Sequence, residues 1–322
     1  MTTIYHDTDA NPEAIAGQHI AVIGYGNQGR CWALNFRDSG CQVSVHVRAD
    51  SSRQMARDDG FEAADIASAS RADIICMVVP DDVIPQLPVS PRDDALVIVA
   101  SGYALAFDRL RLSCDTGMIA PRMLGPEVRR CYEEGVGFIT AVGVQQDVTG
   151  TAKQRLLAVA KALGGLQQGA IEMTPHQEAV LDLAVEQVLS PALAHVNQAF
   201  IGAMLEQNIP LEAILTELTL SGEVERNYRL LREIGFVGQL DLHSPASQYG
   251  QLSRRGHFDK LDFKPSMRSM TAYIANGQFA DEWDAECERG MPTLKALREQ
   301  HAGPAIKDFE SALRKRLGPD AA

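Results

Sequence analysis

The sequence predicts an α/β domain with a doubly wound, mostly parallel sheet, followed by an all-helical domain. Two observations support this fold class. From residue 19 to about residue 173, short apolar runs alternate with amphipathic stretches, which is the pattern of parallel βαβ units. After about Thr174 the strand signals end, and long runs with a 3.6-residue period follow. We therefore expect two domains, residues 1–173 and residues 174–322.

The predicted strands are short and rich in valine and isoleucine, a composition that suits a sheet covered on both faces. They are His19–Ile23, Gln42–Val47, Ala72–Val79, Ala95–Ala100, Met118–Ala120 and Gly137–Val144. The predicted helices between them include Gly29–Ser39 and Thr151–Leu163. The predicted helices of the second half are His176–Gln207, Leu211–Ile234, Ser266–Ala275, Phe279–Gln300 and Ala305–Leu317, and residues 318–322 are expected to fray.

The composition argues against several classes of function. The 322 residues include 30 basic and 42 acidic side chains, a formal net charge of −12, so attraction to nucleic acid or to an anionic membrane is not expected. The six cysteines are scattered without zinc-type spacing, which fits reduced thiols. No signal-peptide pattern and no long uninterrupted apolar segment is visible. We expect a cytoplasmic protein with small-molecule or protein partners.

A glycine pattern lies directly between the first predicted strand and the first predicted helix. Gly24 permits a tight turn, Gly26 lets the backbone approach a pyrophosphate, and Gly29 allows close packing of helix on strand. The helix N-terminus then faces the phosphates. This segment predicts a dinucleotide site of the Rossmann type, with contacts from the whole turn: Gly24, Tyr25, Gly26, Asn27, Gln28 and Gly29.

The choice of dinucleotide is determined at the end of the second strand. Arg48, Ser51, Ser52 and Arg53 offer cations and hydroxyl donors suited to a 2′-phosphate, so NADPH is favoured over NADH. Asp50 argues for NADH, because a carboxylate at this place binds the ribose 2′-hydroxyl. A solvated charged loop without a cofactor role is the remaining alternative.

Two carboxylates lie in an otherwise apolar helical run. Asp182 and Glu186 are four residues apart, a spacing at which like charges repel. Burying an unpaired carboxylate is costly, so either this face is solvated or a cation lies between the two groups. Oxygen ligands at this spacing suit Mg²⁺. Both interpretations stay open on the residues alone.

The motifs together closely resemble the ketol-acid reductoisomerase family, also called acetohydroxy-acid isomeroreductase, in its short form. The resemblance covers essentially the whole chain. It rests on IYHDTDAN near the N-terminus, the glycine turn, VVPDD at Val78–Asp82, MIAP at Met118–Pro121, RRCYEEGVG at Arg129–Gly137, QDVTG at Gln146–Gly150, DLAVEQ at Asp182–Gln187, QYG at Gln248–Gly250 and NGQFADEW at Asn276–Trp283.

The resemblance implies a function and a set of site residues. It implies NADPH on the Rossmann domain and Mg²⁺ ions held mainly by Asp182 and Glu186. It implies that a later helix of the partner subunit supplies Glu223, and that Ser244 contacts the substrate carboxylate. The metals chelate a 2-hydroxy-2-alkyl-3-oxo acid, an alkyl group migrates, and hydride reduces the resulting 2-oxo acid. Further cofactor contacts are predicted at Pro80, Asp81, Ser101 and Gly102.

The resemblance also implies an assembly. The helical domains of the family intertwine, with a knotted chain path, so we expect an obligate homodimer through the helical domain and leave a higher oligomer open.

Three positions depart from the family pattern. Ser101 stands where the family has a histidine, and Arg122 where it has a lysine. The first glutamate of the later helix falls either on Thr219 or, if two residues are inserted, on Glu217. These departures should impair alkyl migration most, because that step needs an alkoxide and a neighbouring carbonyl held by both metals. Hydride delivery needs only a bound nicotinamide, a positioned carbonyl and one Lewis acid or cation on its oxygen.

These departures favour an NADPH-dependent reductase that has lost the isomerase step and reduces an α-hydroxyketone, a 2-oxo compound or an imine in a specialised biosynthetic pathway. The alternatives are a genuine ketol-acid reductoisomerase, which converts 2-acetolactate to 2,3-dihydroxyisovalerate with Mg²⁺, and a non-catalytic NADPH-binding protein.

The predicted catalytic residues are Arg122, Asp182, Glu186, Glu223 and Ser244, and the predicted metal ligands are Asp182, Glu186, Glu217 and Glu223. Glu178, one turn before Asp182, is interpreted as a solvated first-turn residue, with an outer-shell metal role as the alternative.

Overall fold

The structure is a computed structural model that describes residues 1–301 and 304–317. The expected fraying of residues 318–322 lies outside this part of the chain. Contacts divide the chain into two compact units, Met1–Leu183 and Ala184–Ala322. The division falls later than the expected boundary at residue 173, because the helix that begins at Pro175 belongs to the first unit through Leu183.

In the described residues, the first unit contains one mixed sheet of nine strands. The strands are β1 Ile4–Tyr5, β2 His19–Ile23, β3 Gln42–His46, β4 Ala63–Ala64, β5 Ile74–Met77, β6 Leu96–Val99, β7 Asp115–Pro121, β8 Thr140–Gln146 and β9 Ala170–Glu172. Their order is β1-β9-β8-β7-β6-β5-β2-β3-β4. Only the pairs β1/β9 and β7/β8 are antiparallel in this sheet. The predicted doubly wound, mostly parallel sheet is confirmed, although the short edge strands β1 and β4 and the short inner strand β9 were not foreseen.

Helices cover both faces of this sheet. They are α1 Asn27–Asp38, α2 Ser51–Asp58, α3 Tyr103–Ala106, α4 Gly125–Glu133, α5 Ala152–Leu163 and α6 Pro175–Ala184, with 3₁₀ segments at Asp7–Asp9, Pro12–Ile15, Ile66–Arg71 and Ile84–Gln86. Along β2, Ile20 and Val22 enter one apolar cluster while Ala21 and Ile23 enter the other. All four are buried, so this strand is covered on both sides, as its continuous apolar run predicts.

The strand order brings four functional segments to one edge of the sheet. The glycine turn follows β2, Val78–Asp82 follows β5, Ser101 follows β6 and Arg122 follows β7. Because β2, β5, β6 and β7 are mutually parallel, their carboxyl ends lie at the same edge. In doubly wound sheets this edge, near the point where the strand order reverses, is where ligands bind.

The opposite end of β7 is anchored by a buried charge. Asp115 is fully buried and accepts hydrogen bonds from the backbone N–H groups of Val148 (2.7 Å) and Thr149 (3.0 Å). The Thr149 hydroxyl adds a third bond, and the Arg155 guanidinium lies 3.5 Å away. A carboxylate with this many donors holds the start of β7 in place.

In the described residues of the second unit, every regular element is helical. A π-helical turn at Val185–Leu189 continues α6 and leads into α7 Ser190–Glu206; then follow α8 Leu211–Leu215, a π-helical turn at Thr216–Leu220, α9 Glu223–Asp241, α10 Pro245–Arg254, a 3₁₀ segment at Arg255–Phe258, α11 Lys264–Ala275, α12 Gln278–Glu288, α13 Pro292–His301 and α14 Pro304–Leu317. The predicted all-helical half is confirmed.

Two helices predicted as continuous are interrupted. Leu211–Ile234 breaks at Gly222, which has φ +75°, and α9 bends again at Gly235 with φ +74°. Phe279–Gln300 breaks at Gly290 and Met291, which both have positive φ. Left-handed glycines end helices because they lack a Cβ atom, and their positions were visible in the sequence.

Much apolar surface of the second unit is exposed. In the described chain, α7 carries no buried residue. Leu189, Leu193, Val196 and Phe200 follow the spacing of one helix face and are each 43–48% exposed. The continuous helical run Pro175–Glu206 is also long and apolar enough, by length and composition alone, to cross a membrane.

Candidate functional site

The glycine turn has the backbone geometry that its sequence predicts. Gly24 has φ +97°, and a Cβ atom there would lie 2.7 Å from the carbonyl oxygen of Val78. A Cβ atom on Gly29 would collide with the carbonyl oxygen of Gly24. A Cβ atom on Gly26 would meet nothing within 4 Å, although Gly26 is the N-cap of α1. The turn thus leaves open space at a helix N-terminus, which fits a dinucleotide pyrophosphate.

Side chains hold this turn from outside. The Tyr25 hydroxyl donates to Asp59 (2.9 Å), and Arg30 donates twice to the same carboxylate (2.6 and 2.9 Å). Burial, followed by the hydrogen bond to Asp59, raises the pKa of Tyr25, so the phenol stays protonated. Tyr25 therefore ties the turn to the end of α2 through its side chain.

The predicted cofactor contacts of the later strands line the same cleft as the turn. A cavity of about 290 Å³ is bordered by Gly26, Gln28, Val78, Pro80, Asp81 and Ser101. The Gln28 side chain also donates to the carbonyl of Met123 (3.2 Å), beyond the end of β7. The structure therefore brings together residues from three strand ends that the sequence predicted separately.

Several of the residues expected to select the cofactor already form ion pairs or hydrogen bonds within the protein. Asp50 caps α2 by accepting from the Ser52 N–H (3.0 Å), and it pairs with Arg48 at 3.5 Å. Arg53 pairs with Asp65 and donates to the Val47 carbonyl (3.2 Å). Arg48 remains 77% exposed in its side chain. The side chain of Arg48 is therefore more exposed than that of Arg53.

Arg122 joins two carboxylates of α6. One guanidinium nitrogen lies 2.6 Å from Glu178 Oε1, and the other lies 2.8 Å from Asp182 Oδ1. The second oxygen of Glu178 accepts the backbone N–H of Gly102 at 2.7 Å. We call these residues, Arg122, Glu178, Asp182 and Gly102, the guanidinium cluster. It connects the loops after β6 and β7 to the start of α6.

The prediction that Glu178 is solvated is wrong. Glu178 is only 2% exposed, and burial raises the pKa of its carboxyl group. The first turn of α6 packs so closely on the loop after β6 that a Cβ atom on Gly102 would collide with the Pro175 carbonyl. The signal available in the sequence was the spacing of Glu178 and Asp182, which places both on one helix face.

Asp81 is a second carboxyl group with an altered proton affinity. Burial, reinforced by the negative charges of Glu178, Asp82 and Asp182, raises the pKa of Asp81 to about 7. It lines the cleft beside Gly26 and Ser101. A carboxyl group of this kind exchanges a proton near neutral pH. The sequence predicted Asp81 as a cofactor contact but did not show this property.

Ser101, at the histidine position of the family, turns towards its own backbone. Its hydroxyl accepts the N–H of Tyr103 at 3.2 Å, at the start of α3. A hydroxyl in this role supports the loop and supplies no group that titrates near neutral pH.

The remaining predicted residues lie in the second unit. Glu186 and Glu217 each lie within a π-helical turn, a geometry that is frequent at functional sites. Glu223 begins α9 after the left-handed Gly222, and Thr219 donates its hydroxyl to the Leu215 carbonyl (2.8 Å). The break at Gly222 means that neither Glu217 nor Thr219 shares a continuous α-helix with Glu223.

Ser244, the predicted substrate contact, lies at the N-terminus of a helix. Ser244 caps α10, and its hydroxyl accepts the Ser247 N–H at 3.3 Å. Within residues 1–301 and 304–317, no three His, Cys, Asp or Glu side chains come together as a possible metal site.

Comparison with known proteins identifies the family. Residues 14–169 match the NADPH-binding domain of acetohydroxy acid isomeroreductase, and residues 176–318 match the C-terminal domain of ketol-acid reductoisomerase. The chain belongs to the ketol-acid reductoisomerase family. The predicted resemblance is thereby confirmed, and with it an oxidoreductase that depends on NAD(P)H. Members of this family typically use NADPH and Mg²⁺.

Individual reductoisomerase relatives are similar over nearly their whole length. The ketol-acid reductoisomerase (NADP(+)) of Caldivirga maquilingensis is 37% identical over 92% of this chain and 93% of its own. A putative ketol-acid reductoisomerase 3 of Saccharolobus solfataricus is 34% identical over 96% of this chain and 98% of its own. An NADH-preferring ketol-acid reductoisomerase from an uncultured archaeon has a TM-score of 0.88 and 29% identity, covering 97% of this chain and 98% of its own.

A matched pair of glycine variants tests the turn. We expect Gly29→Ala to lower the free energy of unfolding by about 1–3 kcal/mol, because the new methyl group collides with a backbone carbonyl. Gly26→Ala should unfold like the wild type but bind NADPH at least tenfold more weakly, about 1.4 kcal/mol, because its methyl group enters the space left for the pyrophosphate. Urea unfolding and fluorescence titration with NADPH measure the two effects. Equal NADPH affinity of Gly26→Ala and wild type would contradict the assignment.

Proposed function

We propose that this member of the reductoisomerase family is an NADPH-dependent reductase of a small α-hydroxyketone or 2-oxo compound, in which the alkyl-migration step is lost or slow. The observation that carries this proposal is the guanidinium cluster. Arg122 replaces the lysine of the family and forms an ion pair with one oxygen of Asp182. Metal-assisted migration would depend on Asp182. The proposal includes a role in a specialised biosynthetic pathway, with an imine as a further substrate class.

The proposed chemistry uses the carboxyl edge of the sheet. NADPH, when bound along the glycine turn, supplies the hydride. Arg122 offers a permanent positive charge that can orient a substrate carboxylate or polarise a carbonyl oxygen. The pKa of Asp81 is raised to about 7, so part of its population is protonated near neutral pH. Because Asp81 lines the same cleft, its carboxyl group can protonate the oxygen of the reduced carbonyl. Reduction of a carbonyl thus needs only groups that this edge carries.

The second candidate is the complete ketol-acid reductoisomerase reaction, from 2-acetolactate to 2,3-dihydroxyisovalerate with Mg²⁺. The relatives support it, since several that are 33–37% identical are named ketol-acid reductoisomerase. By themselves the comparisons favour this candidate over the first. The substitutions at Ser101 and Arg122 and the interrupted helix before Glu223 favour the first.

The choice between the two candidates rests on substrate preference. With NADPH and Mg²⁺ present, we expect the purified chain to reduce 3-hydroxy-3-methyl-2-oxobutanoate, the migrated intermediate, with a kcat/KM about 100-fold or more above that for 2-acetolactate, a difference of about 2.7 kcal/mol in barrier. The double variant Ser101→His/Arg122→Lys should narrow this ratio. Oxidation of NADPH is followed by absorbance.

Two outcomes would contradict the proposal. Efficient turnover of 2-acetolactate would establish the complete reaction instead. Tight NADPH binding without turnover of any compound in a panel of 2-oxo acids, hydroxyketones and imines would point to a non-catalytic NADPH-binding protein.

The preference for NADPH is part of the proposal, with Arg48 and Ser51 as the residues nearest the 2′-phosphate. NADH remains an alternative, because an NADH-preferring reductoisomerase shares this fold with a TM-score of 0.88. Ser51 is the first residue of α2, where backbone N–H groups and the helix dipole favour an anion.

Arg48→Ala tests this preference. Loss of one charge-assisted contact should weaken NADPH binding about tenfold and leave NADH binding unchanged. Arg57→Ala, an exposed arginine at the end of α2, is the matched control and should change neither affinity. Calorimetric titration with both dinucleotides measures the effect; an equal loss for NADH and NADPH would exclude a 2′-phosphate contact.

The proposal also includes a homodimer formed through the helical unit, with the intertwined path of the family and a cytoplasmic location. The exposed stripe of Leu189, Leu193, Val196 and Phe200 supports a protein partner, because apolar faces of this extent are normally covered. A lipid environment is less suitable for this helical run, since Glu178, Asp182 and Glu186 lie within it and carboxylates are costly in a bilayer.

Sedimentation velocity tests the assembly. We expect the detergent-free chain to sediment as a dimer or a higher even oligomer, and Phe200→Glu to shift the population towards the monomer because a charge enters the apolar stripe. Glu206→Gln, at the end of the same helix, is the control and should leave the dimer intact. A monomeric wild type, or a chain that requires detergent, would contradict this part of the proposal.

A further inference from the structure

We propose that the Arg122 guanidinium is a built-in cation at Asp182, so that this carboxylate binds no divalent metal ion and carbonyl reduction proceeds without one. This inference rests on the proposed function, since it concerns the same site. It departs from the expectation, drawn from the sequence, that Asp182 and Glu186 hold Mg²⁺.

The guanidinium of Arg122 forms a fork between two carboxylates. Arg122 directs one nitrogen to Glu178 at 2.6 Å and the other to Asp182 at 2.8 Å, distances typical of charge-assisted hydrogen bonds. The backbone of Arg122 is fixed as well, because its N–H donates to the Ile139 carbonyl at 2.9 Å. A planar guanidinium can meet two carboxylates at once in this way, whereas the ammonium of a lysine is a single point charge.

Glu178 is buried. Its two oxygens are both used, one by Arg122 and one by the N–H of Gly102, and the residue is 2% exposed. If the guanidinium swung away to admit a metal ion, a buried carboxylate would lose its charged partner, which is strongly destabilising. Glu178 therefore keeps Arg122 in place, and the second nitrogen stays at Asp182.

The surroundings of Asp182 are unsuited to Mg²⁺. Mg²⁺ requires nearly octahedral oxygen ligands at short distances. At Asp182 one oxygen is already bonded to a positive group, and a metal ion on this carboxylate would be repelled by the adjacent guanidinium. The residues present at Asp182 thus fit a guanidinium better than a metal ion.

The experiment titrates NADPH-loaded full-length chain with Mn²⁺ and measures free Mn²⁺ by electron paramagnetic resonance. In the otherwise wild-type chain, Asp182→Asn should change the Mn²⁺ affinity by no more than about threefold. Disturbing a real metal site typically lowers metal affinity by about 10–100-fold. In the Arg122→Lys background, where one charge no longer spans both carboxylates, Mn²⁺ should bind about tenfold more tightly, and Asp182→Asn should remove that gain.

A loss of about tenfold or more in Mn²⁺ affinity on Asp182→Asn in the wild-type background would overturn the inference. Thermal unfolding of every variant checks that it folds. If Arg122→Lys does not fold, the comparison of Mn²⁺ affinity between wild type and Asp182→Asn is sufficient to test the inference. These titrations require no substrate. Efficient turnover of 2-acetolactate together with an unchanged Mn²⁺ affinity of Asp182→Asn would therefore refute the proposed function and leave this inference standing.

Activity in a chelator is the second readout. Reduction of 3-hydroxy-3-methyl-2-oxobutanoate should persist within about threefold after dialysis against EDTA, because the positive charge comes from Arg122 and not from a metal ion. Loss of this activity in EDTA and its return with Mg²⁺, while the NADPH affinity stays constant, would overturn the inference.

Discussion

The buried carboxylate of Glu178 is the group on which the geometry of the site depends. Its two oxygens bind a backbone N–H after β6 and a guanidinium after β7, and its own helix is α6. Three separate parts of the chain are thereby held together by one side chain. A buried charge must be fully paired to be tolerated, so none of these partners can move independently.

This constraint explains why neighbouring positions are so restricted. Gly102 has to lack a side chain because the Pro175 carbonyl lies where its Cβ atom would be. The orientation of Arg122 follows from the position of Glu178, and the environment of Asp182 follows from Arg122. Burial, reinforced by the same concentration of negative charge, raises the pKa of Asp81 to about 7. The chemical character of the cleft thus arises from a single local network.

Membership of a family establishes the fold of this chain, whereas the reaction depends on individual residues at the site. The match over residues 14–169 and 176–318 reports a shared fold and a shared use of NAD(P)H. The residues at the strand ends decide which chemistry that fold performs. In this chain the glycine turn keeps its geometry, while Ser101 supports a loop and Arg122 spans two carboxylates. The glycine turn therefore keeps the geometry that its sequence predicts, while Ser101 and Arg122 depart from the family pattern beside it.

By itself, the sequence determined the doubly wound sheet, the helical second half and the glycine turn. These features follow from local periodicity and from backbone conformations that only glycine adopts readily. It did not reveal the strands β1, β4 and β9, which are too short to show a period, nor the burial of Glu178. Solvent exposure at the start of a helix depends on what packs against it, and here that is the loop after β6, 76 residues earlier in the chain. Only the tertiary structure could decide that Arg122 pairs with both Glu178 and Asp182, because that contact depends on distance in space and not on spacing in the chain.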